Sequence, residues 1–313
     1  RWKWPLVGVA TFLFMFLGTA YFAVAGVITT LSLDPGDRVT VGAPPTSYDV
    51  RKQRFPSADG RINLTAWLIS APEDTDKDRA IVLLHGLGDH GWNATNRALT
   101  RAYVDAGFTV LALDLRGHGE SGGQWLGLGW RDRDDIRAAI DLLLEQGFMP
   151  GRIGIHGTSY GAATALLAAA AIPEIGAVVA DSAFSDMRDV MDAEITDRTG
   201  LPAPIARLLR PGIALTARLV FNLNFSDIPP LLAVDDIAPR PILFIHGTAD
   251  TRIPVTHSQD LFDANLNPAN ELWLLPGMGH TEGVWMEEGD NVPSPFQAEF
   301  LARVTQFFLA NLP

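Results

Sequence analysis

The 313-residue sequence contains no cysteine. This absence excludes a disulfide scaffold, a thiolate metal site, an iron–sulfur cluster and a cysteine nucleophile. Basic residues are scarce as well: 24 lysines and arginines stand against 36 aspartates and glutamates, and the formal net charge is −12. Because no cluster of basic residues offsets that charge, we expect no nucleic acid partner. Hydrophobic residues make up 47% of the chain, which excludes a disordered tail and predicts a folded core.

One long segment near the N-terminus has no charge at all. It extends from Pro5 to Leu33, and it exceeds the roughly 20 apolar residues that a helix needs to cross a bilayer. Arg1 and Lys3 precede it, and the positive-inside rule then keeps the N-terminus in the cytoplasm. We therefore predict an uncleaved single-pass anchor at residues 1–33, with the rest of the chain outside the cytoplasm.

Two alternatives for this segment stay open from the sequence. Ala23-Val24-Ala25 fits the small-x-small pattern of a signal peptide, and cleavage there would create a new N-terminus at Gly26. A buried core helix could have the same composition. Residues 34–46 are rich in proline and glycine and predict a linker, after which residues 47–313 have the length of one catalytic domain.

The pattern of apolar runs predicts the architecture of that domain. Tyr48 to Phe55 and Ile62 to Ile69 alternate in polarity and predict a pair of antiparallel strands. Short apolar runs then alternate with helical stretches, a pattern that predicts an α/β domain with a mostly parallel central sheet flanked by helices. These runs are Ala80 to Leu84, Phe108 to Leu113, Arg152 to Ile155, Ala177 to Ala180, Pro241 to Ile245 and Glu271 to Leu275.

A serine motif follows the third of these runs. Ligands of such sheets bind beyond the carboxyl ends of the strands, and there Gly157-Thr158-Ser159-Tyr160-Gly161 fits the pattern G-x-S-x-G. The glycines permit a sharp strand-to-helix turn that lifts the hydroxyl above the sheet edge, so Ser159 is the predicted nucleophile. A structural serine in a tight turn is the alternative. The segment around Ser121 fits the same pattern, but it lacks a preceding strand and a following helix and is predicted to be a loop.

A serine nucleophile needs a general base, usually a histidine that a carboxylate holds in place. His280 is the predicted base, because it follows the last strand and comes late in the chain, after the acid, as the motif requires. Asp250 follows the preceding strand and is the predicted acid. Asp181 and Asp114 also end strands and are rival positions, and ordinary loop roles for His280 and Asp250 remain the alternatives.

The surroundings of the serine predict two further parts of the site. The backbone N–H groups of Leu87 and Tyr160 are the predicted donors to a tetrahedral intermediate. Four tryptophans fall in loops of the predicted catalytic edge, where they could form aromatic walls for an apolar acyl or aryl group, or pack at the rim. They are Trp92, Trp125, Trp130 and Trp285. This chemistry requires no metal and no cofactor, and we predict neither.

Taken together, the motifs HGLGD, DLRGHGES, GTSYGA and HGTADTRIP followed by GMGH resemble the α/β-hydrolase superfamily. They are most similar to its monoglyceride-lipase-like and prolyl-oligopeptidase-like branch, and the resemblance covers about residues 48 to 312. It implies the α/β-hydrolase fold, a triad of Ser159, Asp250 and His280, and an oxyanion hole at Leu87 and Tyr160. Tyr160 is larger than the residue that many relatives have there, so we expect its ring to narrow the pocket.

An insertion at residues 185–240 separates two of the predicted strands. Its apolar residues recur at helical spacing, and Pro211 is predicted to break or kink the stretch and so give two short helices rather than one. In a chain that resembles the α/β hydrolases, an insertion at this point predicts a cap over the active site. A helical excursion packed on the core is the alternative.

These features predict a membrane-anchored serine hydrolase that cleaves carboxylic esters through an acyl-enzyme intermediate. A serine peptidase or amidase of the same fold is the alternative, and a non-catalytic, membrane-tethered binding protein is the third hypothesis. The predicted partners are a small-molecule ester and the membrane itself.

Overall fold

The computed structural model describes residues 3–36, 48–70, 78–224, 229–286 and 292–313. Arg1 and most of the predicted linker at 34–46 lie outside the described residues. Residue contacts divide the chain into two compact units. The smaller unit consists of residues 1–34 and 187–227, and the larger unit consists of residues 35–186 and 228–313.

The larger unit contains an eight-stranded sheet with the strand order β1-β2-β4-β3-β5-β6-β7-β8. The strands are β1 (Val50–Pro56), β2 (Asn63–Ile69), β3 (Ala80–Leu84), β4 (Thr109–Asp114), β5 (Ile153–Thr158), β6 (Ile175–Asp181), β7 (Ile242–Gly247) and β8 (Glu271–Leu275). Strand β2 runs antiparallel to β1 and β4, whereas β3 to β8 run parallel to one another. The predicted mostly parallel α/β sheet is confirmed.

Helices connect the parallel strands. In chain order the described helices are α1 (Lys3–Leu33), α2 (Ala94–Asp105), α3 (Asp132–Glu145), α4 (Tyr160–Ala171), α5 (Met187–Thr199), α6 (Ala203–Val220), α7 (Pro230–Ala233), α8 (Thr256–Ala264) and α9 (Gln297–Asn311). Strands β3, β4, β5 and β7 are buried along their whole length, as expected where helices cover both faces of a parallel sheet. Helix α4, which is rich in alanine, packs against β5 and β6.

The smaller unit is helical, and in it α1 packs against α5 and α6. Among the residues that the structure describes, α1 is the one helix long and apolar enough to cross a membrane. In its last third the side chains of Ala25, Ile28, Thr29 and Leu33 are buried. From residue 7 to residue 24, by contrast, its side chains are exposed or half-buried.

The prediction that Pro211 divides the inserted segment into two helices is wrong. Helix α6 continues through Pro211 from Ala203 to Val220, although proline normally breaks the hydrogen-bond ladder of a helix. The hydroxyl of Tyr21 on α1 bridges the backbone pair next to the proline: it donates to the carbonyl oxygen of Leu208 at 3.1 Å and accepts the N–H of Gly212 at 3.0 Å. Because an inserted side chain satisfies the backbone groups beside the proline, the helix is not interrupted.

Candidate active site

Ser159 lies on the sharp turn between β5 and α4, in a strained backbone conformation with φ 54° and ψ −116°. The N–H of Ser159 donates to the carbonyl oxygen of Asp181 at 2.8 Å, which ties the turn to β6. Glycine is required on both sides. A Cβ atom at Gly157 would lie 2.2 Å from the carbonyl oxygen of Gly161, and a Cβ atom at Gly161 would lie 2.5 Å from the carbonyl oxygen of Leu84.

We expect Gly157→Ala to lower the free energy of unfolding by about 3 kcal/mol, because the new methyl group meets backbone atoms that cannot move aside. Urea denaturation of the variant and the parent measures the difference. Gly86→Ala is the matched control, because its Cβ atom would lie 3.8 Å from the Cβ atom of Ser159, an ordinary contact. Equal losses of stability in the two variants would show that the turn does not depend on close backbone packing.

Three side chains that follow different strands of the sheet form a continuous hydrogen-bond chain. Nε2 of His280 lies 2.9 Å from Oγ of Ser159, and Nδ1 of His280 lies 2.7 Å from Oδ2 of Asp250. Ser159 follows β5, Asp250 follows β7 and His280 follows β8. In this order the imidazole can accept the serine proton at Nε2 while the carboxylate holds the proton at Nδ1.

The carboxylate of Asp250 is fully enclosed by donors. Oδ1 accepts the backbone N–H groups of Arg252 at 2.9 Å and Ile253 at 2.8 Å, and Oδ2 faces both His280 and His246. Burial alone would raise the pKa of Asp250, but the hydrogen bonds with His246 and His280 hold that pKa below its ordinary value. The carboxylate therefore stays ionised at neutral pH, as the orientation of His280 requires.

His246 is a second histidine on the same carboxylate, and no motif in the sequence predicts this contact. Its Nε2 lies 3.3 Å from Oδ2 of Asp250 and 2.8 Å from the carbonyl oxygen of Ile253, and its Nδ1 lies 2.7 Å from Oγ of Ser258. Burial lowers the pKa of His246, but the hydrogen bonds with Asp250 and Ile253 outweigh it and raise that pKa. The sequence signal for this contact was the spacing of four residues between His246 and Asp250.

We expect His246→Gln to lower kcat by about 10-fold with little change in KM, because a positioning contact to Asp250 is lost while the reacting groups remain. Steady-state kinetics and thermal unfolding of the same preparations give the result. His156→Gln is the control: His156 is also buried on a strand, but its Nδ1 bonds the hydroxyl of Tyr103 at 2.7 Å. An equal fall of kcat in both variants would assign His246 a merely structural role.

The rival residues have other partners. Oδ1 of Asp181 accepts the hydroxyl of Ser182 at 3.0 Å, and burial raises the pKa of Asp181 to about 6. The two carboxylate oxygens of Asp114 accept the backbone N–H groups of Gly91 and Glu120 at 2.7 and 2.8 Å. Both rivals thus hold local structure.

Other histidines hold the loop that contains Leu87. Nε2 of His85 accepts the N–H of Leu115 at 3.1 Å, and Nε2 of His118 accepts the N–H of Gly88 at 3.2 Å. Leu87 lines the same cavity as Ser159. The other predicted donor, the N–H of Tyr160, belongs to the first turn of α4, where N–H groups have no partner within the helix. The oxyanion role of both groups stays a prediction.

The ring of Tyr160 does not occupy the place expected from the sequence. It is buried, its hydroxyl donates to Oδ2 of Asp132 at 2.8 Å, and it accepts the N–H of Gly129 at 3.3 Å. These interior polar partners explain the placement, because a buried carboxylate requires donors. Within the described part of the chain, Tyr160 is not among the residues that line the cavity at Ser159.

That cavity has a volume of about 320 Å³ and a partly polar lining that includes Asp89, Asn93, Arg252 and Glu282. Of the predicted tryptophans, Trp285 lines it. The other three lie elsewhere among the described residues: Trp92 is 5% exposed and packs in the core, Trp125 is half-buried, and the guanidinium of Arg133 covers the ring of Trp130 at 3.8 Å. The aromatic wall expected from the sequence is therefore reduced to one residue.

The chain has the α/β-hydrolase fold, with a mostly parallel sheet and a serine at a strand-to-helix turn. The family model for X-Pro dipeptidyl-peptidase (S15 family) matches residues 45–196, a range that includes Ser159 but ends before Asp250 and His280. YqkD of Bacillus subtilis is 32% identical over 204 residues, which are 63% of this chain and 63% of YqkD. The match thus spans less than two thirds of that relative.

Two solved structures show the same fold. The Pyrococcus furiosus esterase Pf2001 has a TM-score of 0.70 at 24% identity, and the alignment covers 90% of this chain and 99% of the esterase. The acylaminoacyl peptidase of Pyrococcus horikoshii has a TM-score of 0.64 at 18% identity, with 86% of this chain and 42% of the peptidase covered. Similar folds thus occur in an esterase and in a peptidase.

Proposed function

We propose that the protein is a serine hydrolase that cleaves carboxylic esters through an acyl-enzyme intermediate. The hydrogen-bond chain from Ser159 through His280 to Asp250, at a cavity open to a substrate, is the observation that carries the proposal. His280 takes the proton of Ser159 as Oγ attacks the ester carbonyl, and it then gives that proton to the departing alcohol. Water repeats the cycle and releases the acid.

The N–H groups of Leu87 and Tyr160 would hold the negative oxygen of each tetrahedral intermediate. Asp250 stabilises the imidazolium that forms when His280 takes the proton, because its carboxylate is ionised and already hydrogen-bonded to Nδ1. No metal and no cofactor enters this scheme.

Cleavage of an ester is supported by the degree of structural likeness. The TM-score is 0.70 with the esterase and 0.64 with the peptidase. A serine peptidase is the second candidate, which the match to the S15 family favours. The carboxylates of Asp89 and Glu282 in the cavity lining also favour it, because they could pair with the free amino group of a peptide.

A chain-length series of p-nitrophenyl esters, assayed beside an aminoacyl-proline p-nitroanilide, tests the proposed reaction. We expect the highest kcat/KM for one of the esters. A higher kcat/KM for the anilide than for every ester would identify a peptidase. Absence of turnover with both classes, in a chain that also resists a fluorophosphonate, would favour the non-catalytic hypothesis.

We further infer that α1 is an uncleaved single-pass anchor and that the catalytic domain lies outside the cytoplasm. The exposed apolar surface of α1 between residues 7 and 24 supports the anchor, and the basic residues that precede the apolar run support the orientation. Cleavage after Ala25 would remove Tyr21 from its contacts with α6, which argues against a signal peptide.

Cell fractionation followed by protease treatment of spheroplasts tests the location. We expect activity in the membrane fraction and a catalytic domain that external protease degrades. Soluble activity with a new N-terminus at Gly26 would show a cleaved signal peptide, and a membrane-bound but protected domain would show the opposite orientation.

A further inference from the structure

Helix α6 exposes a row of large apolar side chains. Ile205, Leu208, Leu215 and Leu219, here called the α6 stripe, recur at helical spacing on one side of the helix, and Leu208 and Leu219 are 66% and 73% exposed. Another side of α6 is already packed within the smaller unit through residues such as Leu209 and Ile213. The stripe is therefore apolar surface beyond what the unit itself needs, and such surface marks an interaction site.

Helix α5 provides an internal comparison, because it belongs to the same inserted segment and the same unit. Its exposed side chains include Arg188, Asp189 and Asp197, which is the composition expected of a helix that faces water. Of the two helices, only α6 exposes large apolar side chains, and only α5 exposes acidic ones. This difference indicates that the unit has one side in water and one side in an apolar medium.

The position of α6 along α1 identifies that medium. A span that begins at Pro5, the first residue of the charge-free segment, and uses about 20 residues to cross the hydrocarbon core ends near Val24. Helix α6 meets α1 at this level: a Cβ atom at Gly212 would lie 2.7 Å from the Cβ atom of Ala25 and 2.8 Å from a ring carbon of Tyr21. The stripe thus lies beside the end of the span, where bilayer and water meet.

The charges of α6 fit the same location. The helix contains Arg207, Arg210 and Arg218 and no acidic residue. Arg207 and Arg210 form ion pairs with Asp192 of α5. The side chain of Arg207 is nevertheless 73% exposed, and that of Arg218 is exposed as well. Arginine side chains at a membrane boundary lay their stems along apolar surface and direct the guanidinium to lipid phosphates.

We propose that α6 is an interfacial membrane helix that lies in the outer leaflet of the bilayer that α1 spans. The α6 stripe contacts the acyl chains near the glycerol level, and the arginines contact the phosphates of the headgroups. The occupant of the stripe is phospholipid and not a second protein. This inference rests on the membrane location proposed above and extends it from the anchor to the inserted segment.

The absence of cysteine makes a direct test practical, because each single-cysteine variant can carry one fluorophore. Leu215→Cys and Leu208→Cys report on the stripe, Phe14→Cys reports on the anchor, and Ala193→Cys, exposed on α5, is the control within the same unit. Each full-length variant is labelled with a nitrobenzoxadiazole dye and reconstituted in vesicles of phosphatidylcholine and phosphatidylglycerol. Lipids that carry a doxyl group at a shallow or a deep position of the acyl chain quench the fluorescence of a dye that lies in the membrane. Iodide quenches the fluorescence of a dye that lies in water.

We expect the dye at Leu215 and Leu208 to show a blue-shifted emission, strong quenching by the shallow doxyl lipid and little quenching by iodide. The dye at Phe14 should be quenched most by the deep doxyl lipid, and the dye at Ala193 by iodide alone. The Leu208 variant provides a second probe in case the Leu215 variant misfolds. Leu208 is more exposed than Leu215, so a dye there disturbs less packing.

The outcomes separate this inference from the anchor on which it rests. Quenching of both stripe probes by iodide, with Phe14 still in lipid, would overturn the role of α6 and leave the anchor intact. Protection of both stripe probes from iodide and from doxyl lipid alike would show that protein covers the stripe, which also overturns the proposal. Failure of doxyl lipid to quench the dye at Phe14 would refute the anchor and the interfacial helix together.

Discussion

Replacing Ser159 by alanine is expected to lower ester turnover by about 10⁴- to 10⁶-fold and to abolish covalent labelling by a fluorophosphonate, because the three residues of a triad act as one unit. The fold should survive, since among the described residues the hydroxyl makes one hydrogen bond, the 2.9 Å bond with His280. Burst and steady-state assays, together with labelling and thermal unfolding, provide the measurement.

Ser121→Ala is the matched control for this prediction, because Ser121 occupies the other G-x-S-x-G segment. Its hydroxyl donates to the carbonyl oxygen of Asp114 at 2.6 Å and accepts the N–H of Thr65 at 2.8 Å. The control should therefore keep its labelling and its kcat while losing about 1–3 kcal/mol of stability, because a buried N–H group loses its acceptor. Labelling that persists in the Ser159 variant and disappears in the Ser121 variant would refute the assignment.

Asp250→Asn is expected to lower kcat by about 10⁴-fold, because an amide cannot stabilise the imidazolium and can direct an N–H group at Nδ1 of His280. The loss should exceed that of His246→Gln, which leaves the carboxylate in place. Steady-state kinetics at several pH values should show that alkaline conditions do not restore the activity. Deprotonation makes the imidazole neutral but does not correct its orientation.

Asp181→Asn is the control for the acid, because Asp181 ends the neighbouring strand β6 and is equally buried. Its side chain bonds the hydroxyl of Ser182, and an amide oxygen can accept the same hydrogen bond. We expect a change in kcat of less than about 10-fold. A larger loss from Asp181→Asn than from Asp250→Asn would transfer the role of the acid to β6.

The sheet and the hydrogen-bond chain could be predicted because their signals are local. Apolar runs such as Ala80 to Leu84 are buried on both faces. The glycines beside Ser159 are required because a Cβ atom there would clash with backbone atoms of the same turn or of the adjacent strand. The order of Ser159, Asp250 and His280 along the chain follows from the order of the strand ends. The structure places His280 between the other two, with hydrogen bonds to Ser159 and to Asp250.

The remaining features depend on partners that are distant in sequence. The ring of Tyr160 is fixed by Asp132, and the continuity of α6 through Pro211 is fixed by Tyr21, which lies 191 residues before Gly212. Trp92 and Trp285 both fall in loops after strands, yet one packs in the core and the other lines the cavity. No periodicity or motif distinguishes these cases, because the deciding neighbour is a side chain that only the folded chain brings close.

The bridge between Tyr21 and α6 means that α1 is not interchangeable with other apolar segments of the same length. A helix of leucine and valine would insert into a bilayer equally well, but it would leave the N–H of Gly212 and the carbonyl of Leu208 without the phenol that joins them. These two groups are partners in an uninterrupted helix, so α6 would either close the gap between them beside Pro211 or leave each unsatisfied at a cost of about 1–3 kcal/mol. A chimera with a foreign span would therefore insert into the membrane but have a less stable α6. The identity of the residue at position 21 thus matters, although such segments are usually judged by their hydrophobicity alone.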